Sequence, residues 1–468
     1  MSATAGRFLP ASRVVEQALE ASRSDNCIVL VGEASEADVR FANNTVTTNG
    51  TRRDRSVAVV AFTDTKNGTA VGTASSSGAV DVVDLVRQAE ANAATAPVAD
   101  DVAPLVRPAG PAPGADFDEP PMTTALAGLG DVVAKLGDAF GRARAAKTQL
   151  AGYAEHNVST LYLGSSTGLR LRHVQPTGKL EVVARTDDGS RSAWVGVGAS
   201  DLGSVHVEDL EEKLMRRLSW GARRVDLEAG RYEVVLPPDA VADLMFLLGV
   251  STSGREAEEG RSVFSAPGGA TRVGESLSTH PFTLRSDPAE PGLECTPFVV
   301  NAVSGQDESV FDNGLQLERT DWISEGRLRR LRYHRAAAER SGVTPAGFID
   351  NLALELPDSE ASLDDLVHRT ERGLLLTCLW YIREVDPTTL LLTGLTRDGV
   401  YLVEHGEIVG SVNNFRFNES PLDTLAKTIE AGRTERALSR EWNESLNRVA
   451  MPPLRVAEFN MSSVSPAT

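Results

Sequence analysis

The sequence predicts an α+β protein, with an N-terminal region of α/β and antiparallel-sheet lobes followed by a β-rich C-terminal domain. Three observations predict it. Helical periods and β-branched runs alternate through the first hundred residues, short apolar/polar alternations crowd residues 150–197, and turns and strand-like runs dominate after Gly254. At 468 residues the chain is long enough for more than one core. The expected units are residues 1–100 as an N-terminal α/β lobe, 101–227 as a second lobe of helix plus antiparallel sheet, and 228–468 as the C-terminal domain.

In order, Val14, Val15, Ala18 and Leu19 share a helical face behind Ser12 as the expected N-cap, and Cys27–Val31 reads as a buried strand. A second strand is expected at Asp38–Ala42 and a third at Ser56–Phe62, with a turn at Asn67–Gly68. Val82, Leu85, Val86, Ala89 and Ala93 give an amphipathic helix behind Asp81. Residues 97–121 are rich in Pro, Ala, Gly and Asp without an apolar period, which predicts a solvated connection. Leu126, Leu129, Val133, Leu136 and Phe140 form the next helix. The alternations at Leu150–Ala154, Leu169–Arg172, Leu180–Val182 and Trp194–Val197 predict an antiparallel sheet, closed by a helix through Val207, Leu210, Leu214 and Leu218. Tyr232–Leu236 opens the C-terminal domain as a strand, and Pro237-Pro238-Asp239 starts a strongly apolar helix. Helices are further expected at Leu363–Arg372 and Thr424–Gly432, with irregular chain beyond.

Composition excludes several function classes. No apolar run approaches twenty residues and Met1–Pro10 lacks a signal-peptide layout, so a cytoplasmic protein that spans no membrane is expected. A net charge of −18 without a basic face argues against nucleic acid as a partner. Cys27, Cys295 and Cys378 are too few for a disulfide framework and form no C-x-x-C pair.

The most informative stretch is Gly373–Asn414. The aliphatic run Leu374–Leu379 leads into Arg383-Glu384-Val385-Asp386-Pro387, and Val400–Val403 and Ile408–Val412 flank a Glu404-His405-Gly406-Glu407 turn. The order of an aliphatic strand, a charged V-D-P-x-T segment and Val-Tyr-Leu-Val-Glu-x-Gly-Glu-Ile resembles the C-terminal domain of the TldD/PmbA (TldD/TldE) family of zinc-dependent peptidases, once called modulators of DNA gyrase. Arg40-Phe41-Ala42-Asn43-Asn44, Ser253-Gly254-Arg255 with Gly260–Phe264, Phe311-Asp312-Asn313-Gly314, and Trp322–Leu328 with Ala336–Gly342 fall in the family's order. The resemblance thus covers almost the whole chain.

Active members of that family resemble other zinc peptidases in using an H-E-x-x-x-H helix and a late cysteine. Here the residues after the seven histidines are Asn157, Val174, Val207, Pro281, Arg335, Arg369 and Gly406, and no cysteine follows Cys378. The resemblance therefore implies the PmbA/TldE-like branch: no catalytic or metal residue in this chain, zinc in a TldD-like catalytic subunit, a heterodimer with it, and unfolded peptide or a leader peptide as substrate. Two alternatives stay open, a divergent metallopeptidase with a relocated metal site and a peptide-binding scaffold without a peptidase partner. His280, Cys295, Cys378 and His405 are the candidates for a relocated site, with core or loop roles the more common fate of scattered His and Cys. Arg383, Asp386, Arg397, Asp398 and Glu404 are the candidate residues of a peptide or partner cavity. Were Leu374–Trp380 and the 400–412 hairpin at a sheet edge, an extended peptide would add there as one more strand.

Overall fold

The computed structural model describes residues 9–108 and 116–465. Its N-terminal part is built on one antiparallel sheet of unusually long strands. Helix α1 (Ala11–Ala21) precedes β1 (Asn26–Ala42), β2 (Thr45–Thr65), β3 (Gly68–Ser77) and helix α2 (Val82–Thr95). Helix α3 (Gly130–Ala145), β4 (Thr148–Ser165), β5 (Arg170–Thr186), β6 (Ser192–Ala199) and helix α4 (Val207–Trp220) follow. The strand order is β3-β2-β1-β4-β5-β6, so the hydrogen bonds of one sheet run across residue 100.

Where two strands were expected at 27–31 and 38–42, β1 is continuous. Its middle has little apolar pattern of its own, yet β2 pairs with it from Asn26 to Ala42 and β4 from Ile28 to Phe41. Backbone partners on both sides hold an extended conformation that side-chain patterning alone leaves unspecified. The β1–β2 turn is a two-residue loop in which Asn43 and Asn44 have φ of 50° and 58°, the twist that suits a tight hairpin. Pro10, not Ser12, caps α1, and Ser12 lies buried in the first turn. Asp81 caps α2 as expected, accepting from Val83 N at 3.0 Å and Asp84 N at 3.1 Å.

Two helical layers cover the sheet. α1 and α2 bury Val29, Val31, Val57, Val59 and Ala61, whereas α3 and α4 cover Ala37, Val39, Phe41, Leu150, Leu180 and Val182. The alternate residues Ile28, Leu30, Val60 and Phe62 pack with Phe298, Val310 and Phe311 of the C-terminal part. The stretch 97–121 departs from the solvated connection expected. Ala99 N donates to Thr69 O at 3.0 Å, Leu105 and Val106 join the Phe62 cluster, and Phe117 is buried with its ring 5.9 Å from that of Tyr162. An adjacent pair, Leu105 and Val106, followed by a lone Phe117 produces no period. The 109–115 part of that stretch lies outside the described residues.

β7 (Arg224–Val225) and β8 (Gly230–Leu236) lead into helix α5 (Pro238–Val250), which packs against both sheets of the C-terminal part. The larger sheet runs Leu379–Asp386, Leu391–Thr396, Phe415–Glu419, Leu454–Val464, β8, Arg372–Leu376, Val400–Glu404, Glu407–Val412, β7, and Thr428–Ala431 pairs with Leu454–Val464 beside this path. The smaller contains Arg327–Leu328, Thr320–Ser324, Thr283–Ser286, Leu352–Glu355, Val449–Met451 and Glu435–Ala437. The tail read as helix followed by irregular chain is instead a short helix, Pro421–Ala426, followed by strands. Leu454–Val464 pairs with β8, more than 200 residues earlier. A strand so placed takes its order from distant partners. Among the described residues no helix is long and apolar enough to cross a membrane.

Candidate functional site

The seam between the N-terminal sheet and the C-terminal part concentrates the buried polar chemistry. α5 is apolar on most of its surface and buried against its neighbours, but it carries Asp239 and Asp243 one turn apart. Both hold the segment Leu438–Trp442. Asp239 Oδ1 accepts from Leu438 N at 3.0 Å, while Asp243 Oδ1 accepts from Ser439 Oγ at 2.6 Å and Glu441 N at 2.9 Å. Asp243 is 1% exposed and its Oδ2 has no hydrogen-bond partner. Burial pushes its carboxyl up to about 8, against the lowering effect of those two bonds, so it is mainly neutral at pH 7.

Arg440 projects from the same segment into the seam. Its guanidinium lies between the rings of Trp194 on β6 and Trp380, at 5.2 and 4.9 Å, and donates to Cys378 Sγ and, at 3.2 Å, to Asp398 Oδ2. Asp398 also accepts from Ser192 Oγ on β6. One arginine, two indoles, a thiol and a carboxylate thus join the two halves. Burial pushes the Cys378 thiol up to about 12, and Arg440 pulls in the opposite direction.

Farther along the seam, β5 faces the segment 443–448 across a cleft whose larger lobe is mainly polar and whose smaller lobe is mainly apolar. Its two lobes, about 310 and 240 Å³, share Gln175, Thr177, Asn447 and Arg448. Arg448 donates to Asp350 at 2.6 Å and to Thr177 Oγ1, and Lys179 Nζ donates to Asn443 Oδ1 at 3.0 Å and to Glu444. Burial raises the Asp350 carboxyl despite the opposing Arg448, and burial lowers His173. The cleft offers donors and acceptors of both signs, which suits a polar backbone.

The candidates from sequence are dispersed. Arg397 and Asp398 meet at 3.4 Å beside Arg440, and Arg383 reaches the margin of the same cluster through Glu441 at 3.0 Å. Asp386 folds back on its own turn, accepting from Thr388 N at 2.9 Å, Thr388 Oγ1 at 2.7 Å and Thr389 Oγ1 at 2.8 Å, and these bonds lower its carboxyl. Glu404 pairs across strands with Arg372 at 3.7 Å, away from that cluster. Arg372–Leu376 is an interior strand, paired with β8 and Val400–Glu404, and so has no free edge for an added peptide. One end strand of the sheet is Leu379–Asp386, whose pairing with Leu391–Thr396 shifts register twice and whose Tyr381 N donates to Glu441.

His280 Nε2 lies 2.7 Å from Thr428 O, and His405 is exposed with Nδ1 2.6 Å from Glu371. Burial pushes Cys295 up to about 12 and Cys27 to about 11. Among the described residues no group of three His, Cys, Asp or Glu side chains is arranged to hold a metal ion. The positively charged guanidinium of Arg440, donating to Cys378 Sγ, occupies that thiol and does not fit a cation such as zinc beside it. Sequence reasoning missed Asp243, Arg440 and Trp194. The legible signal was an acidic residue inside an apolar helix; Arg440 gave none.

Residues 229–463 match the family model of the PmbA/TldA metallopeptidase C-terminal domain. Among solved structures, TldE from Thermococcus kodakarensis superposes with a TM-score of 0.76 at 17% identity, covering 96% of this chain and 98% of that one. A putative modulator of DNA gyrase from Thermotoga maritima gives 0.75 at 16% identity, covering 96% and 99%, and one from Bacteroides thetaiotaomicron gives 0.74 at 14%, covering 97% and 98%. No curated protein sequence matches.

Proposed function

The chain belongs to the PmbA/TldD metallopeptidase family, and from that membership we propose that it is a non-catalytic, TldE-like subunit of a TldD/TldE-type zinc metalloprotease. A TldD-like partner supplies the metal and the general base. This chain completes a cytoplasmic heterodimer and shapes the cavity that holds unfolded peptide or a leader peptide. The donor set carries the reading: no histidine precedes a glutamate, and Cys378, the last cysteine of the sequence, is a buried thiol held by Arg440. The cleft along Gln175, Thr177, Asn447 and Arg448 supports the peptide role, because amide, hydroxyl and guanidinium groups pair with main-chain groups of any sequence. Arg397 and Asp398 are proposed as part of the cavity wall with Arg383 at its margin; Asp386 and Glu404 are proposed to hold the turn and strand around it.

Purified alone, the chain is expected to contain no stoichiometric zinc and to leave an unstructured peptide intact. Co-expressed with a relative that carries H-E-x-x-x-H and the late cysteine, it is expected to co-purify with it and to raise peptide turnover. Stoichiometric zinc together with hydrolysis by this chain alone overturns the proposal in favour of a relocated metal site.

A further inference from the structure

The larger lobe of the seam cleft has one face of the N-terminal sheet as its floor. β4 and β5 set Glu155 opposite Lys179, Asn157 opposite Thr177 and Ser159 opposite Gln175, and all six line the lobe. Residues that alternate along a strand share a face, so this patch of sheet is polar although it lies between the two halves of the molecule. Two cations are sunk into it: Lys179 is 4% exposed and Arg448, from the opposite wall, 7%. Cations so buried are tolerated only with partners. Arg448 has Asp350 and Thr177 Oγ1. Lys179 donates to Asn443 Oδ1 at 3.0 Å and to Glu444, with Glu155 at 3.8 Å.

Glu444 is unlike the other partners of Lys179. Its side chain is 81% exposed, against 19% for Glu155, and it belongs to the turn at 440–445 rather than to a strand. It thus reaches from the rim of the cleft to a cation at the bottom. Leaving Lys179 returns this carboxylate to water, so its exchange for another carboxylate leaves no buried charge unpaired.

We propose that the Lys179 ammonium is a carboxylate subsite of the cleft, held by Glu444 in the free chain and taken over by an acidic group of a bound peptide. The inference rests on the peptide role proposed for the cleft and adds a charge preference to it. The neighbouring charges choose between anions. Glu155 beside Lys179 and Asp350 on Arg448 already offset both cations, so a monoanion replaces the charge of Glu444 whereas a phosphate dianion adds a further one. Asn157, Ser159, Gln175 and Asn447 around the cations are neutral and pair with main-chain groups on either side of such a carboxylate. The group is either an Asp or Glu side chain of the peptide or its C-terminus.

Isothermal titration calorimetry on the full-length chain tests it with three N-acetylated decapeptides of alanine, serine and leucine. One carries a central glutamate and an amidated C-terminus, the second has glutamine in that place, and the third is the glutamine peptide with a free C-terminal carboxylate. At least one of the two carboxylate peptides is expected to bind about tenfold tighter than the neutral one, the scale of one charge-assisted hydrogen bond. Which of them does so identifies the source of the group. Glu444→Gln removes the internal competitor and is expected to raise that ratio about threefold, and Lys179→Met to bring it to about one. Glu444 lies at the rim, so its variant tests the inference even where Lys179→Met does not fold. A neutral peptide that binds as well as both carboxylate peptides overturns the subsite and leaves the peptide role standing, whereas binding by none of the three overturns both. A ratio that Glu444→Gln leaves unchanged or lowers also overturns the subsite.

Discussion

Asp243 is a carboxylate whose environment departs far from what its residue type prefers. Its carboxyl is fully desolvated, one oxygen is satisfied twice and the other not at all, and its titration moves from 3.8 up to about 8. A raised carboxyl is held neutral by the folded state. Its contribution to stability is therefore complete below 3.8 and is lost as pH rises through about 8. Asp243→Asn keeps an oxygen for Ser439 and Glu441 and cannot ionise. Urea titrations between pH 5 and pH 8.5 are expected to show the wild type losing stability relative to the variant, with a slope of at most about 1.4 kcal/mol per pH unit. A parallel pH dependence in the two proteins would show that Asp243 is ionised throughout.

At the scale of single elements, hairpin turns fix the registers of long strands. Asn44 occupies a left-handed position in the β1–β2 turn and is buried, its Oδ1 accepting from Leu150 N at 2.7 Å and its Nδ2 donating to Thr148 O at 2.8 Å. It therefore ties the hairpin to the start of β4. Asn44→Ala removes both buried bonds and puts alanine at φ 58°, so a loss of about 2–4 kcal/mol is expected in chemical denaturation. An unchanged midpoint would mean that water replaces the amide without cost. The 404–407 turn follows the same logic, with His405 and Gly406 at φ 50° and 78°, and a Cβ on Gly406 would lie 2.4 Å from His368 O. Glycine was readable there because its chemistry is local.

Across the whole molecule, Arg440 ties the N-terminal sheet to the C-terminal part. Arg440→Ala removes one of the two arginines beside partly buried Asp398 and the donor to buried Cys378, and leaves Trp194 and Trp380 without their shared partner. Because both groups are only partly buried and Arg397 stays beside Asp398, the loss falls below the roughly 3–5 kcal/mol of a fully buried pair. The expected outcome is a lower unfolding midpoint, with Trp fluorescence shifting before far-UV circular dichroism as the seam opens. Coincident transitions of unchanged midpoint would deny Arg440 that role. Proteolysis between the halves, at Asp226–Ala229, should rise in the variant as well.

The sequence by itself determined what depends on near neighbours. The periods of α2 and α4, the Asp81 cap, the proline start of α5 and the glycine of the 404–407 turn follow from residues a few positions apart, and so did the order of motifs that placed the chain among PmbA/TldD proteins. Only the tertiary structure decided what depends on distant partners. β1 is one strand because β4 runs beside it, the tail is sheet because β8 receives it, and Asp243, Cys378, Asp398 and Arg440 meet at one seam although nearly 200 residues separate the first from the last. A backbone hydrogen bond carries no side-chain signature, and a buried charge declares its partner only once the chain has closed around both.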